Sequence, residues 1–207
     1  VRLSWQIDAA DAGRQTGSHI QVSNAPTFDS VLAEQIDDAS EQLDRIAPGD
    51  AFASRERRHY RVKAELDGVW TDWSPVCSIE IGLLTAADWS AKAVTLPDAP
   101  GGASMSPSPL VRKAFDAKPD VASARLHVTS LGVHRVFLNG QVVSDDLLAP
   151  GWSAYHQRLV AVTHDVTDLV TEGENVLSGS LGDGWYRGRL GWNPGLDRCN
   201  YGTELGL

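Results

Sequence analysis

The dipeptide Asn139-Gly140, set between two β-patterned runs, is the strongest local constraint on how this chain folds. Val133-His134-Arg135-Val136-Phe137-Leu138 leads into it, and Gln141-Val142-Val143-Ser144 leads out. A two-residue connection of this kind closes as a type I′ turn, in which both central residues take positive φ; Asn-Gly meets that demand with little strain. The same grammar recurs along the chain. Leu3, Trp5 and Ile7 alternate with polar residues, as does His19-Ile20-Gln21-Val22-Ser23. Tyr60 to Leu66 alternates strictly and ends at Asp67-Gly68, a second hairpin signal. Cys77, Ile79 and Ile81 alternate with Val76, Ser78 and Glu80. Residues 29–50 read as acidic and irregular, with a turn at Pro48-Gly49-Asp50. No helix longer than a turn or two is expected, Ala86 to Ser90 being the candidate.

Short strands divided by turn signals imply an all-β chain. The stretch from Pro97-Asp98-Ala99-Pro100-Gly101-Gly102 to Pro107 and Pro109 breaks the pattern, since proline and glycine there leave no helix or central strand. Two β-sandwich domains are therefore expected, residues 1–82 and 109–207, joined by a linker over 83–108. In the second, the strand runs are Arg125 to Thr129, Val133 to Leu138, Leu159 to Thr167 and Val176 to Leu181.

Composition excludes some functions. Aspartate and glutamate number 27 against 18 lysines and arginines, a net charge of -9. Nucleic acid calls for the opposite balance. No apolar run is long enough for a membrane helix, and no signal peptide is visible. Location is left open, with a slight lean to the cytoplasm over secretion. Cys77 and Cys199 carry no metal-ligand spacing and read as reduced, partly buried thiols. The ends, Val1-Arg2-Leu3 and Glu204-Leu205-Gly206-Leu207, read as those of an excised piece.

Trp70-Thr71-Asp72-Trp73-Ser74 resembles the Trp-Ser-x-Trp-Ser-like segment of fibronectin type III domains. The resemblance implies aromatic rings stacked with arginine stems, and Arg55, Arg57, Arg58 and Arg61 are the candidates. Phe137-Leu138-Asn139-Gly140, Asp165-Val166-Thr167-Asp168-Leu169 and Gly173-Glu174-Asn175-Val176-Leu177 resemble the galactose-binding-like jelly rolls that precede many glycosidase catalytic domains. Two further pieces narrow the family. Ala149-Pro150-Gly151-Trp152-Ser153-Ala154-Tyr155 and Gly182-Asp183-Gly184-Trp185-Tyr186-Arg187-Gly188 resemble segments of bacterial α-L-rhamnosidases, as does Asn200-Tyr201-Gly202. The resemblance implies a fibronectin-like domain followed by a jelly roll, here truncated at its C-terminus. It also implies a parent glycoside hydrolase that cleaves terminal α-L-rhamnose from rhamnosides with inversion, using two acids of a downstream helical domain. Residues 1–207 alone would then be inactive. The competing reading is a stand-alone carbohydrate-binding or adhesion module.

No catalytic residue is expected within the chain; Asp145-Asp146 reads as a solvated turn. The candidates for sugar binding or interdomain packing are Trp152, Tyr155, Asp183, Trp185, Tyr186, Arg187 and Trp192, with His156 and Arg189 as polar neighbours. Sugar C–H faces stack on such rings while polar groups take the hydroxyls. No cofactor is expected, calcium being the one ion considered, through Asn139, Asp145, Asp146 and Asp183. His127, His134, His156 and His164 read as satisfied structural histidines. The expected partners are rhamnose-containing glycosides and the parent's catalytic domain, with no nucleic acid and no membrane.

Overall fold

The computed structural model describes residues 1–8, 13–95, 108–191, 199 and 201–207. Two compact units emerge, Val1–Trp89 and Ser90–Leu207. Both are built from antiparallel strands, and the chain is all-β in two sandwiches.

Unit 1 contains β1 (Arg2–Leu3), β2 (Gln15–Ser23), β3 (Ala33–Asp37), β4 (Arg45–Ile46), β5 (Arg57–Leu66), β6 (Val69–Trp70) and β7 (Cys77–Glu80). The main sheet runs β3-β2-β5-β6, with β7 also pairing to β5, and β1 pairs with β4 in a second sheet. Asp67-Gly68 closes the β5–β6 hairpin with φ of 49° and 89°, the positive pair that a two-residue turn requires. One face of β2 and β5 carries the core, Ile20 and Val22 beside Tyr60 and Ala64. The N-terminal alternation persists in burial, with Leu3, Trp5 and Ile7 half-buried, although only Arg2–Leu3 joins a ladder.

Residues 29–50 are less irregular than their sequence implies, because they hold β3 and β4. β3 is an edge strand whose Ile36 is 61% exposed, so it lacks the apolar alternation that marks a half-buried strand.

The outer face of β2 and β5 carries the aromatic ladder, with Arg61 alone of the four expected arginines and with a lysine beside it. Arg61 lies 4.2 Å from the Phe28 ring and 4.4 Å from the Trp73 ring. Lys63 continues the series, 5.0 Å from Trp73 and 5.1 Å from Trp70. Strand parity explains the choice, since residues 61 and 63 share a face and residue 58 points to the other. Arg58 is buried, ion-paired with Glu56 and 4.0 Å from the Phe52 ring. Arg57 pairs with its cross-strand partner Glu80 at 3.6 Å, and Arg55 donates to the Asp88 carbonyl at 3.0 Å.

The turn foreseen at residues 86–90 is a 3₁₀ turn, Ala86–Asp88. Asp88 Oδ2 accepts from Ser54 Oγ at 2.6 Å, Thr85 N–H at 2.8 Å and Thr85 Oγ1 at 2.9 Å. These donors, the Ser54 hydroxyl foremost, hold its carboxyl down at about 2. Its contribution to unit 1 is therefore present above the ordinary carboxylate range and lost as pH falls toward 2. A carbon-detected NMR titration is expected to place the Asp88 midpoint near 2, and a midpoint at the ordinary 3.8 would remove this tie.

Unit 2 contains β8 (Leu110–Ala117), β9 (Arg125–Val128), β10 (Val133–Leu138), β11 (Gln141–Val142), β12 (Val162–Asp165) and β13 (Gly173–Gly182). One sheet runs β11-β10-β13-β8 and the other pairs β12 with β9. Val128, Val136, Leu138, Val166, Leu181 and Leu205 are buried. Asn139 and Gly140 have φ of 53° and 80°, and Leu138 pairs with Gln141 across the turn. The Asn139 side chain also locks this turn to the start of β13. Its Nδ2 donates to Leu169 O at 2.9 Å and Asn175 Oδ1 at 2.8 Å, while its Oδ1 accepts from Val176 N–H at 2.8 Å. The run 159–167 is a strand only over Val162–Asp165. Asp165 Oδ1 accepts from Thr167 N–H at 3.0 Å and turns the chain into the 3₁₀ turn Thr167–Leu169.

Candidate functional site

Two segments of unit 2 bring the aromatic residues together. The first is the connection from β11 to β12, where Pro150-Gly151-Trp152 precedes a turn at Tyr155. The second follows β13, where Gly184–Arg187 forms the single helical turn α1. The glycine at 184 is required twice over. Its φ is +49°, and a Cβ there would lie 2.6 Å from Val133 Cγ1.

Trp152 and Trp185 stack in parallel, 6.1 Å between ring centroids and 2° between planes. Trp152 is 58% exposed, so this is an open stack and not a core contact. Behind it, Tyr155 is buried and meets Tyr186 edge-on at 5.1 Å and Tyr201 at 4.9 Å. Tyr201 accepts a hydrogen bond from Trp152 Nε1 at 3.3 Å and lies 5.4 Å from the His156 ring. Tyr201 is thus a hub of the cluster, although its sequence marks only a family segment. Gly202 makes that seat possible, since a Cβ there would fall 2.0 Å from the Tyr186 hydroxyl. Burial raises the Tyr155 and Tyr186 phenols above the ordinary range, so both are neutral in mild conditions.

The charged candidates take a different position. Arg187 is only 3% exposed, and its Nε and Nη2 lie 2.8 and 2.7 Å from Asp183 Oδ1. Its Nη1 donates to Thr203 O at 3.4 Å. Asp183 and Arg187 therefore clamp α1 and the segment after it, while Arg189 is exposed. Trp192 lies outside the described residues.

Among the described residues no group of three or more His, Cys, Asp and Glu side chains converges. Asn139 is committed to the turn lock, Asp183 to Arg187, and Asp145 and Asp146 are exposed. Both cysteines are free thiols, and Cys77 is exposed where partial burial was expected, although it lies opposite the buried Tyr60, at the start of the edge strand β7. Three of the histidines have partners: His127 Nδ1 with Thr163 Oγ1 at 2.9 Å, His156 against Tyr201, and His134 Nδ1 with Ser130 Oγ at 2.9 Å. The other nitrogen of His134, Nε2, is buried and has no hydrogen-bond partner among the described residues. Among the described residues the cluster combines the exposed Trp152 indole, a half-buried Trp185 and a hydrogen bond from Trp152 to the Tyr201 hydroxyl.

Residues 1–85 match the family profile described as Rha78A-like, N-terminal immunoglobulin domain. Residues 119–207 match the α-L-rhamnosidase N-terminal domain. The chain is 40% identical over 151 residues to an α-L-rhamnosidase of Formosa agariphila, covering 70% of this chain and 16% of that one. It is 34% identical over 204 residues to an α-L-rhamnosidase of Alteromonas sp., covering 91% of this chain and 22% of that one. The crystal structure of native α-L-rhamnosidase from Aspergillus terreus aligns over 99% of this chain and 24% of its own, with a TM-score of 0.88 and 34% identity. That of the Streptomyces avermitilis α-L-rhamnosidase complexed with L-rhamnose has the same fold, at a TM-score of 0.88 and 17% identity over 99% of this chain and 36% of its own. The chain thus spans about a fifth of the length of the curated relatives it matches. With an immunoglobulin-type sandwich followed by the α-L-rhamnosidase N-terminal domain, the chain belongs to the α-L-rhamnosidase family as its N-terminal region.

Proposed function

We propose that the protein containing this region hydrolyses terminal α-L-rhamnose from rhamnosides with inversion. In this reading the acid and the base lie outside residues 1–207, and the region contributes substrate recognition through the Trp152–Trp185 stack. The open parallel stack carries the recognition role. An indole pair with one exposed face presents an apolar platform to a sugar ring, and the Tyr201 hydroxyl and His156 border it with hydrogen-bonding groups. Kinship with proteins named α-L-rhamnosidases supports the hydrolytic reading.

The test uses the intact parent protein and a chromogenic α-L-rhamnoside. Hydrolysis is expected from the parent and not from residues 1–207 alone, and NMR of the first-formed sugar should show the β-anomer. Trp152→Ala in the parent is expected to raise KM about tenfold with kcat little changed, the sign of lost uniform binding. Unchanged KM would end the platform reading. A second reading, packing against further polypeptide, is favoured by Leu147, 82% exposed, and Leu148, both close to Trp152 in the chain. That reading predicts lost stability of the parent at unchanged KM.

A further inference from the structure

We propose that unit 1 holds a saccharide-binding cleft of its own, between the N-terminal segment Trp5–Asp8 and strands β5 and β6. The cleft has a volume of about 630 Å³, within the range of small-ligand sites. Residues of β5 line it together with Trp5 of the N-terminal segment and with Trp70 and Trp73, which follow β5. A lining that mixes aromatic and polar residues in equal measure suits a pyranose, which is apolar on its C–H face and polar at its edge.

These rings are held before any ligand arrives. Trp5 Nε1 donates to Gln15 Oε1 at 3.0 Å. Trp73 is held by Arg61 and Lys63, with the cations 4.4 and 5.0 Å from its ring. Trp70 has Lys63 at 5.1 Å and is 38% exposed. A preorganised wall loses little entropy on binding, which a weakly hydrophobic ligand such as a sugar needs.

The charge around the cleft selects the class of sugar. Among the described residues of the lining, Lys63 is the cation, whereas Asp67 and Asp72 are acids. A uronate or sulfated sugar would meet net repulsion, while neutral hydroxyls find acceptors in carboxylates and in the Gln6 amide. The cleft therefore favours a neutral saccharide, and its volume admits more than one ring. This inference is independent of the Trp152–Trp185 platform, which belongs to unit 2.

Indole N–H resonances of the 207-residue chain provide the test, assigned through Trp5→Phe, Trp70→Phe and Trp152→Phe. The probes are methyl α-L-rhamnopyranoside, the neutral trisaccharide cellotriose, and digalacturonate as the anionic comparison. Saturable shifts of the Trp5 and Trp70 indoles are expected with at least one neutral probe, and none with digalacturonate. Trp70→Ala is expected to weaken binding about tenfold, and Trp152→Ala to leave those shifts unchanged. Gln6→Ala, at an exposed position outside the aromatic ladder, is expected to weaken binding as well, so the result does not hang on a ladder residue. The cleft is not a saccharide site if neither neutral probe moves these indoles. It also fails if the shifts survive undiminished in a folded Trp70→Ala chain. Loss of rhamnoside hydrolysis in the parent would bear on the proposed activity and leave these resonances unaffected.

Discussion

Replacing Arg187 with methionine is expected to destabilise unit 2 by about 3–5 kcal/mol, the usual result of removing one half of a buried ion pair. The guanidinium is almost wholly enclosed and has Asp183 at 2.7 Å and the Thr203 carbonyl at 3.4 Å. Methionine matches its length and apolar stem but leaves the Asp183 carboxylate, which is only partly open to water, without its ion-pair partner. Asp183→Asn should be milder, by about 1–3 kcal/mol, because the amide oxygen still accepts from the guanidinium. Guanidinium denaturation, followed through resonances of unit 2 so that unit 1 is read separately, measures both. An Arg187→Met midpoint equal to that of the parent chain would show that α1 is held by its aromatic contacts alone. If the clamp does hold α1, the variant should also lose the Trp152–Trp185 stack, since Trp185 and Tyr186 ride on that turn. Near-ultraviolet circular dichroism would report the lost stack.

Arg187 also shows where a sequence stops being informative. Beside two aromatic residues in a glycine-flanked segment, an arginine reads as an exposed ligand-binding group, because arginine is rarely enclosed. Its inward turn rests on the ion pair with Asp183, four residues back, and on the Thr203 carbonyl, which only the folded chain brings alongside. Local demands were legible. Asn139-Gly140 and Asp67-Gly68 both adopt the positive φ that their hairpins require. Strand β3 was not, because its less exposed positions, Ala33, Gln35 and Asp37, are mostly polar while Ile36 faces out, so burial leaves no apolar period. The aromatic ladder was half legible. Trp70, Trp73 and Arg61 announced it, while strand parity turned Arg58 to the other face and ties to Glu80 and Asp88 drew Arg57 and Arg55 away. In the candidate site the rings of Trp152 and Trp185 were recognisable one by one. Their parallel stacking and the seat of Tyr201 arise only when separate loops meet.

Unit 2 is expected to lose stability as pH falls from about 6.5 to 4 through a single buried histidine. His134 is 6% exposed, and burial first, then the charge of His164, pushes it down to about 4 from the ordinary 6.5. The titratable and charged groups around it are Arg135 on its own strand, Asp146 on the loop after β11 and His164 on β12. Attraction to Asp146 would raise the value, so the lowered one means that burial wins. With the Ser130 hydroxyl donating to the Gly132 carbonyl at 3.2 Å, His134 Nδ1–H donates to Ser130 Oγ and Nε2 carries the lone pair. Protonation would turn Nε2 into a buried N–H without an acceptor. Above 6.5 neither folded nor unfolded chain holds the proton, and below 4 both do. Between these values only the unfolded chain binds it, so acid favours unfolding, by up to about 3 kcal/mol across the window. His134→Gln should flatten this dependence, leaving unit 2 with similar denaturant midpoints at the two ends of the window; an undiminished slope would assign the acid sensitivity elsewhere. The same strand position ties the candidate site to pH. His134 N–H donates to the Ala149 carbonyl at 2.7 Å and so anchors the loop that runs on to Trp152. Amide exchange in residues 144–152, normalised to the β13 amides, should therefore rise on acidification in the parent chain and not in His134→Gln.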